Sequence, residues 1–323
     1  MTTTKPLAIG LESLKPDRIN DSDALIQVAA ADSRHILAAT VYYCTRHRLY
    51  TTVKPYLIDY EDLSDFPRTN IIPEPHTVSI SDIRGLEAAF NFENNGFAVV
   101  QMESAMQYQD FDDLEKIRNV YCAEIASCLL QYFEAQEVHI FDFAVRRRHP
   151  SYPFEVVGEL PTLQPATQVH VGTTEYIPVL GFSNAGFIDS SYENLISLIR
   201  NLSGDKADDV LREYDCSYSN VWKPLQGPVK DWSLAICDAA TVKSRDEFMA
   251  TDVIGEKNLS EDLRVFHDDD HKWYYLSEQM PDELLMFRQA DTDASKMVSH
   301  TLLFLTGTLT NQRISGKVSK SEP

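Results

Sequence analysis

The sequence predicts a mostly β fold with supporting helices, a double-sheet barrel or jelly roll, from three observations. From Val138 onward, short runs of branched and aromatic residues alternate with Pro, Gly and Asn turns, as in strands that curl into a closed sheet. Between Asp110 and Ala135, Leu114, Ile117, Val120, Tyr121, Ile125, Cys128, Leu129 and Tyr132 recur at three- and four-residue spacing. That is one amphipathic helix whose apolar stripe needs a sheet to cover it. Finally, the 323 residues carry no internal repeat, low-complexity tract or linker, so a single domain accommodates 1–323. Within it, 1–136 reads as an irregular and helical support region and 137–316 as the β core.

Taken in order, residues 1 to about 30 are a loose polar segment, and Thr51 to Pro75, rich in Pro, Tyr and Asp, wraps the surface irregularly. Val78 to Asp82 alternates as a strand, and Ile83 to Asn91 reads as a short helix. Asn94-Asn95-Gly96 is a turn before the apolar strand Phe97 to Gln101. Acidic residues crowd the first turns of the long helix, where they complement its dipole. Val138 to Val145 reads as a strand, and Tyr192 to Leu202, extending toward Tyr214, as a helical insertion among the later strands.

Composition excludes several functions. Net charge is −20, from 49 acidic against 29 basic residues, so the basic face that nucleic acid or an anionic membrane requires is not to be expected. The five cysteines are odd in number and include no C-x-x-C pair, which argues against a disulfide framework or a structural zinc and fits a reducing cytoplasm. Met1-Thr2-Thr3-Thr4-Lys5 has no apolar signal run, and no stretch of about 18 apolar residues is present to span a bilayer.

Two histidines stand out. His170 lies in Gln168-Val169-His170-Val171-Gly172, where branched residues indicate a strand and residues 170 and 172 share a face. With Asp at the second position, His-x-Asp would be two thirds of a 2-His-1-carboxylate Fe(II) site, but Gly172 has no side chain. His300, in Met297-Val298-Ser299-His300-Thr301-Leu302-Leu303-Phe304, is again a His among apolar strand residues. Either histidine alone reads as a satisfied core residue. Thirteen positions after His300 comes Arg313-Ile314-Ser315, and an Arg fork matches a carboxylate through two hydrogen bonds. His271 is expected to bond within the sheet or to the acidic turn Asp268-Asp269-Asp270, the lesser alternative being a replacement ligand.

Several blocks together resemble the AsaB-like hydroxylase/desaturase family, which includes the cephamycin methoxylase component and fungal gibberellin desaturases. They are Asp82-Ile83-Arg84-Gly85, Asn95-Gly96-Phe97, Arg146-Arg147-Arg148, Asn220-Val221-Trp222-Lys223-Pro224-Leu225 and His271-Lys272-Trp273-Tyr274-Tyr275. The resemblance runs from about Val78 to Ser315. It implies a double-stranded β-helix of the cupin-like jelly-roll type, Fe(II) and 2-oxoglutarate as cofactors, and oxidative tailoring of small natural products. It further implies His170 and His300 as metal ligands, with Arg313 and Ser315 holding the distal carboxylate of 2-oxoglutarate.

The departures from that family decide the expected function. His170-Val171-Gly172 replaces His-x-Asp, Gln164-Pro165-Ala166 replaces Arg-Pro-Ala, and Leu303-Phe304-Leu305-Thr306-Gly307 replaces an aromatic–Asp/Asn–Pro run. Past Ser315 the chain becomes Gly316-Lys317-Val318-Ser319-Lys320. Two neutral imidazoles without a carboxylate lose an anionic ligand and much affinity for Fe(II). The expectation is a non-catalytic or weakly active subunit of a heterodimeric oxygenase, whose related partner chain carries the intact triad and acts on a small natural product. The alternative is a catalytic hydroxylase, desaturase or halogenase in which water or chloride fills the vacant position. The residues expected to face one another in the barrel mouth are His170 and His300.

Overall fold

The computed structural model describes residues 10–12, 36–58, 66–147, 168–171, 192–255, 259–293 and 295–304. Arg313, Ser315, Gly172, Gln164 and Leu305 lie outside the described residues. In chain order the elements are β1 (Gly10–Glu12), β2 (Ile36–Cys44), β3 (Tyr56–Ile58), β4 (Pro73–Asp82), α1 (Phe92–Asn95) and β5 (Phe97–Gln101). A continuous helical run follows, made of α2 (Leu114–Lys116), a π turn over Ile117–Tyr121 and α3 (Cys122–Phe133). Then come β6 (His170–Val171), α4 (Tyr192–Ser203), α5 (Ala207–Glu213), β7 (Asp215–Trp222) and β8 (Ser233–Cys237). The last elements are β9 (Phe248–Ile254), β10 (Leu259–Val265), β11 (Trp273–Tyr275), β12 (Glu283–Asp291) and β13 (Thr301–Phe304).

Among the described residues these strands form two sheets. A four-stranded sheet runs β1-β7-β12-β5, and a nine-stranded sheet runs β2-β4-β11-β8-β13-β6-β10-β9-β3. Isolated bridges from Tyr42 to Gln168 and from Cys44 to Phe266 bring β2 back against β6 and the end of β10, so the larger sheet rolls upon itself. Val41, Tyr43, Ile80, Val169, Val171, Ala235, Cys237, Val265 and Trp273 form one buried cluster within that roll. On the opposite face of β8, Leu234 and Ile236 meet Phe97, Leu285 and Phe287 of the smaller sheet. The result is the mostly β, cupin-like jelly roll that the strand rhythm predicts, with its core divided by the larger sheet.

The helices cover the smaller sheet. Ile125 and Leu129 of α3 bury against Ala98, Val100, Leu284 and Met286, which are the outward residues of β5 and β12. Leu195 and Ile199 of α4 pack on Cys216, Tyr218 and Ala290. Asp113 caps the long helical run by accepting from the N–H groups of Glu115 and Lys116. Glu134, at φ 50°, ends it.

Three predicted elements differ. Val138–Val145 forms no ladder: Val138 and Ile140 pack on the α3 cluster, Phe143 and Val145 on the neighbouring one, and Phe141 lies 5.2 Å from the Tyr218 ring. Its apolar residues satisfy a helix flank, leaving the backbone irregular. The expected helix over Ile83–Asn91 shrinks to one turn at Glu87–Ala89. Asp82 Oδ1, which accepts from Arg84 N and Ser277 N, and Gly85 at φ +81° make a turn there instead. The strand predicted from Val78 begins at Pro73, because β2 pairs along its whole length, from Ile36 opposite Ser81 to Cys44 opposite Pro73.

Gly96 performs a sharper task than a generic turn. It sits at φ +73° and closes α1, and an added Cβ would lie 2.6 Å from Ser299 Oγ and 2.7 Å from Ala239 Cβ. Its carbonyl accepts from Arg288 N at 2.7 Å. Gly96→Ala is therefore expected to destabilise the protein by at least about 1–2 kcal/mol. Urea unfolding would register this as a lower midpoint at unchanged slope, and an unchanged midpoint would contradict it.

Candidate functional site

His170 and His300 are both deeply buried, at 7 % and 0 % exposure. The register shows how they sit. Thr301 pairs with His170 on one side and with Ile236 on the other, so the backbone register puts residues 170 and 236 on one face. Arg264 is also opposite His170. Cys237 lies opposite Trp273, and both belong to the cluster within the roll. His300 joins this second face: its ring is 5.3 Å from that of Trp273, 4.6 Å from that of His271 and 6.0 Å from that of Phe248. Alternation along adjacent strands thus separates the two histidines. The structure brings His300 together with His271 and Cys237, and leaves His170 on the other side of the sheet.

Each histidine has a distinct electrostatic setting. His170 Nδ1 is 2.8 Å from the Gln168 carbonyl, which can only accept, so Nδ1 carries the proton and Nε2 the lone pair. Burial, and secondarily the Arg264 guanidinium, depress its pKa to about 4. Arg264 is held by the Gln168 side chain at 3.1 Å and by Asp262 at 3.1 Å, in an ion pair that is itself buried. Burial likewise pushes His300 well below the ordinary histidine range, with the His271 and His170 imidazoles adding to the effect. Neither ring nitrogen of His300 has a hydrogen-bond partner among the described residues.

The backbone around His300 is fixed from both sides. Its carbonyl accepts from Cys237 N at 2.9 Å. Just upstream, Ser299 N donates to the Arg288 carbonyl at 3.1 Å, and the Arg288 side chain reaches the carbonyls of Phe92 at 2.7 Å and Met297 at 3.4 Å. Arg288 is 1 % exposed and pairs with Asp291 at 3.4 Å.

His271 bonds elsewhere than to the acidic turn by its side chain. Nε2 lies 2.7 Å from Glu247 Oε2, and only its backbone N–H reaches Asp268, at 3.2 Å. Lys243 answers Asp268 and Asp270 instead. Cys237 and His271 were not among the ligands expected from the sequence. The usable signal was Cys237 ending a wholly buried strand, with His271 two residues before its cross-strand partner Trp273. One donor atom from each of Cys237, His271 and His300 lies within 4.8 Å of the other two.

The 2-His-1-carboxylate centre implied by the sequence resemblance does not fit these residues. Position 172 is Gly, His170 and His300 lie on different faces, and the metal-capable group found among the described residues contains no carboxylate.

Comparison with known proteins gives the family. The model of the oxidoreductase/YMDC permease-like domain matches residues 41–178 and 184–313. The chain belongs to this family. The alpha-ketoglutarate-dependent dioxygenase tstK of Talaromyces stipitatus is 28 % identical over 228 residues, covering 69 % of this chain and 74 % of the relative. The Fe(II)/2-oxoglutarate-dependent dioxygenase nvfI of Aspergillus novofumigatus is 26 % identical over 68 % of this chain and 71 % of its own. The solved structure of the iron and alpha-ketoglutarate-dependent endoperoxidase NvfI superposes with TM-score 0.66 at 22 % identity, covering 84 % of this chain and 91 % of that one. Relatives with these names are the fungal oxygenases, hydroxylases and desaturases that the sequence resemblance pointed to, with the Fe(II) and 2-oxoglutarate it assigned to the family. No helix among the described residues is long and apolar enough to cross a membrane.

The depressed pKa of His170 makes a pH prediction. Unfolded, the residue takes up a proton below about 6.5, whereas folded it does so only below about 4. The unfolded state therefore binds more protons within that window, and stability falls as pH drops from about 6.5 to about 4, by at most ~3 kcal/mol. In metal-free protein, His170→Gln is expected to flatten part of this acid limb in denaturant midpoints measured across pH. A variant whose pH profile matches the parent would contradict the assignment.

Proposed function

We propose that this chain is a non-catalytic or weakly active member of the AsaB-like group, acting as one subunit of a two-chain oxygenase in fungal-type secondary metabolism. In this reading a related partner chain with an intact His-x-Asp…His set performs the Fe(II)/2-oxoglutarate chemistry on a small natural product. The observation that carries it is the absence of the carboxylate ligand at Gly172, joined to the separation of His170 from His300 by the sheet. A silent copy keeps the blocks that build the fold, including Trp222, Trp273 and Tyr274, and stabilises an active relative through mass action. Arg313 and Ser315 are proposed as remnants of the 2-oxoglutarate anchor, and His170 and His300 as remnants of the metal site.

The relatives, dioxygenases and a hydroxylase/desaturase, support a second reading, a catalytic hydroxylase or desaturase; a halogenase, with chloride at the vacant position, is its further variant. Co-expression with a triad-bearing relative, followed by size-exclusion chromatography and turnover assays, separates the two. The subunit reading expects co-elution, activity nearly unchanged by His170→Ala in this chain, and loss of activity when the partner's triad is mutated. Full turnover by this chain alone, with loss on His170→Ala, would return the function to a catalytic oxygenase; a further requirement for chloride would make it a halogenase. Gly172→Asp alone is expected to restore little, since an iron site also needs its surrounding shell oriented.

A further inference from the structure

We propose that Cys237, His271 and His300 form a binding site for a borderline-soft divalent cation of the zinc class, enclosed in the rolled sheet. This goes beyond the subunit reading and does not depend on it. One donor from each residue already lies within 4.8 Å of the other two. Tetrahedral Zn–S and Zn–N bonds of about 2.3 and 2.0–2.1 Å place donors ~3.5 Å apart, so closure needs shifts of under ~1 Å per ligand.

His300 is the strongest sign of a ligand. A wholly buried imidazole whose two nitrogens find no hydrogen-bond partner among the described residues is a costly arrangement, and a cation bound to one nitrogen relieves it. His271 is prepared in the manner of a metal ligand. With Nε2 turned to Glu247 Oε2 at 2.7 Å, a carboxylate that can only accept, Nδ1 is the ring atom left to meet a cation. The other neighbour of Nδ1 is Tyr43 Oη at 3.5 Å; this hydroxyl accepts from Trp273 Nε1 at 2.9 Å and keeps its own proton to donate, but at that length the bond to Nδ1 is weak and a cation would displace it. Glu247 is itself fixed, because Oε1 accepts from Lys243 N at 2.7 Å and Ser244 N at 3.1 Å, leaving Oε2 to the imidazole.

Ligand chemistry selects the cation. One sulfur and two imidazoles, with no oxygen donor, suit zinc or cobalt and disfavour magnesium, calcium or manganese. A thiolate offsets one of the two charges, and the Glu247 carboxylate behind His271 lies close enough to offset part of the other.

The test uses full-length protein treated with a chelator and then titrated with Zn(II), or with Co(II) as a spectroscopic probe. Equilibrium dialysis should count one equivalent. The Co(II) form should show a thiolate-to-metal charge-transfer band in the near ultraviolet with the intense visible bands of a tetrahedral site. Cys237→Ser should abolish the charge-transfer band, His271→Ala should weaken binding at least about tenfold, and Glu247→Gln should weaken it ~10–100-fold while keeping the band. His170→Ala should leave spectrum and affinity unchanged. Circular dichroism checks that each variant is folded, and the spectrum of the unmutated protein serves as a readout independent of them. No stoichiometric binding, a Co(II) complex without the thiolate band, or binding that survives Cys237→Ser and vanishes with His170→Ala would overturn the proposal.

Discussion

The hydrogen bond from Trp273 Nε1 to Tyr43 Oη joins residues 230 positions apart and ties β11 to β2 inside the rolled sheet. Both partners are almost wholly buried, and the tyrosine hydroxyl can satisfy the indole only while β2 stays folded back over the roll. Around this bond lie His271, held by Glu247, and His300, stacked edge-on to His271 and Trp273. Leaving one buried donor without its acceptor costs about 1–3 kcal/mol, a large share of the net stability of a domain. The polar interior of the roll therefore constrains strand register as well as chemistry.

That constraint bears on the chemistry through strand alternation. A His-x-carboxylate pair serves a metal only if both residues look into the same space as the distal histidine. Here Val169 and Val171 occupy the roll and His170, by alternation, takes the other face with Ile236 and Arg264. The buried Arg264–Asp262 pair and Gln168 then serve His170 as a polar environment that keeps it neutral. His300 keeps the inward direction and acquires different companions.

Much of the architecture was legible in the sequence. The 110–135 helix announced itself through a stripe that found the outer face of β5 and β12, and the insertion after Tyr192 became α4 and α5. Gly96 marked a turn because its conformation favours glycine, although the close approach of Ser299 and Ala239 was not foreseeable from local pattern. Val138–Val145 misled because alternation records burial on one side, and helix contacts bury residues as well as a ladder does. At the site, His170 and His300 could be picked out as unusual. Their separation could not, because the face a residue takes is set by pairings between distant strands. His271 also stood out, but its meeting with Cys237 was hidden for the same reason: 34 positions separate them, and only the pairing of β8 with β11 makes them neighbours.

With Gly172 in place of a carboxylate ligand, this chain is proposed not to assemble an iron and 2-oxoglutarate centre of its own. Anaerobic calorimetric titration of the isolated, chelator-treated protein with Fe(II), in the presence and absence of 2-oxoglutarate, tests it most directly. Weak Fe(II) binding that 2-oxoglutarate does not strengthen is the expected result. One equivalent of Fe(II), bound more tightly with 2-oxoglutarate and lost on His170→Ala, would contradict it.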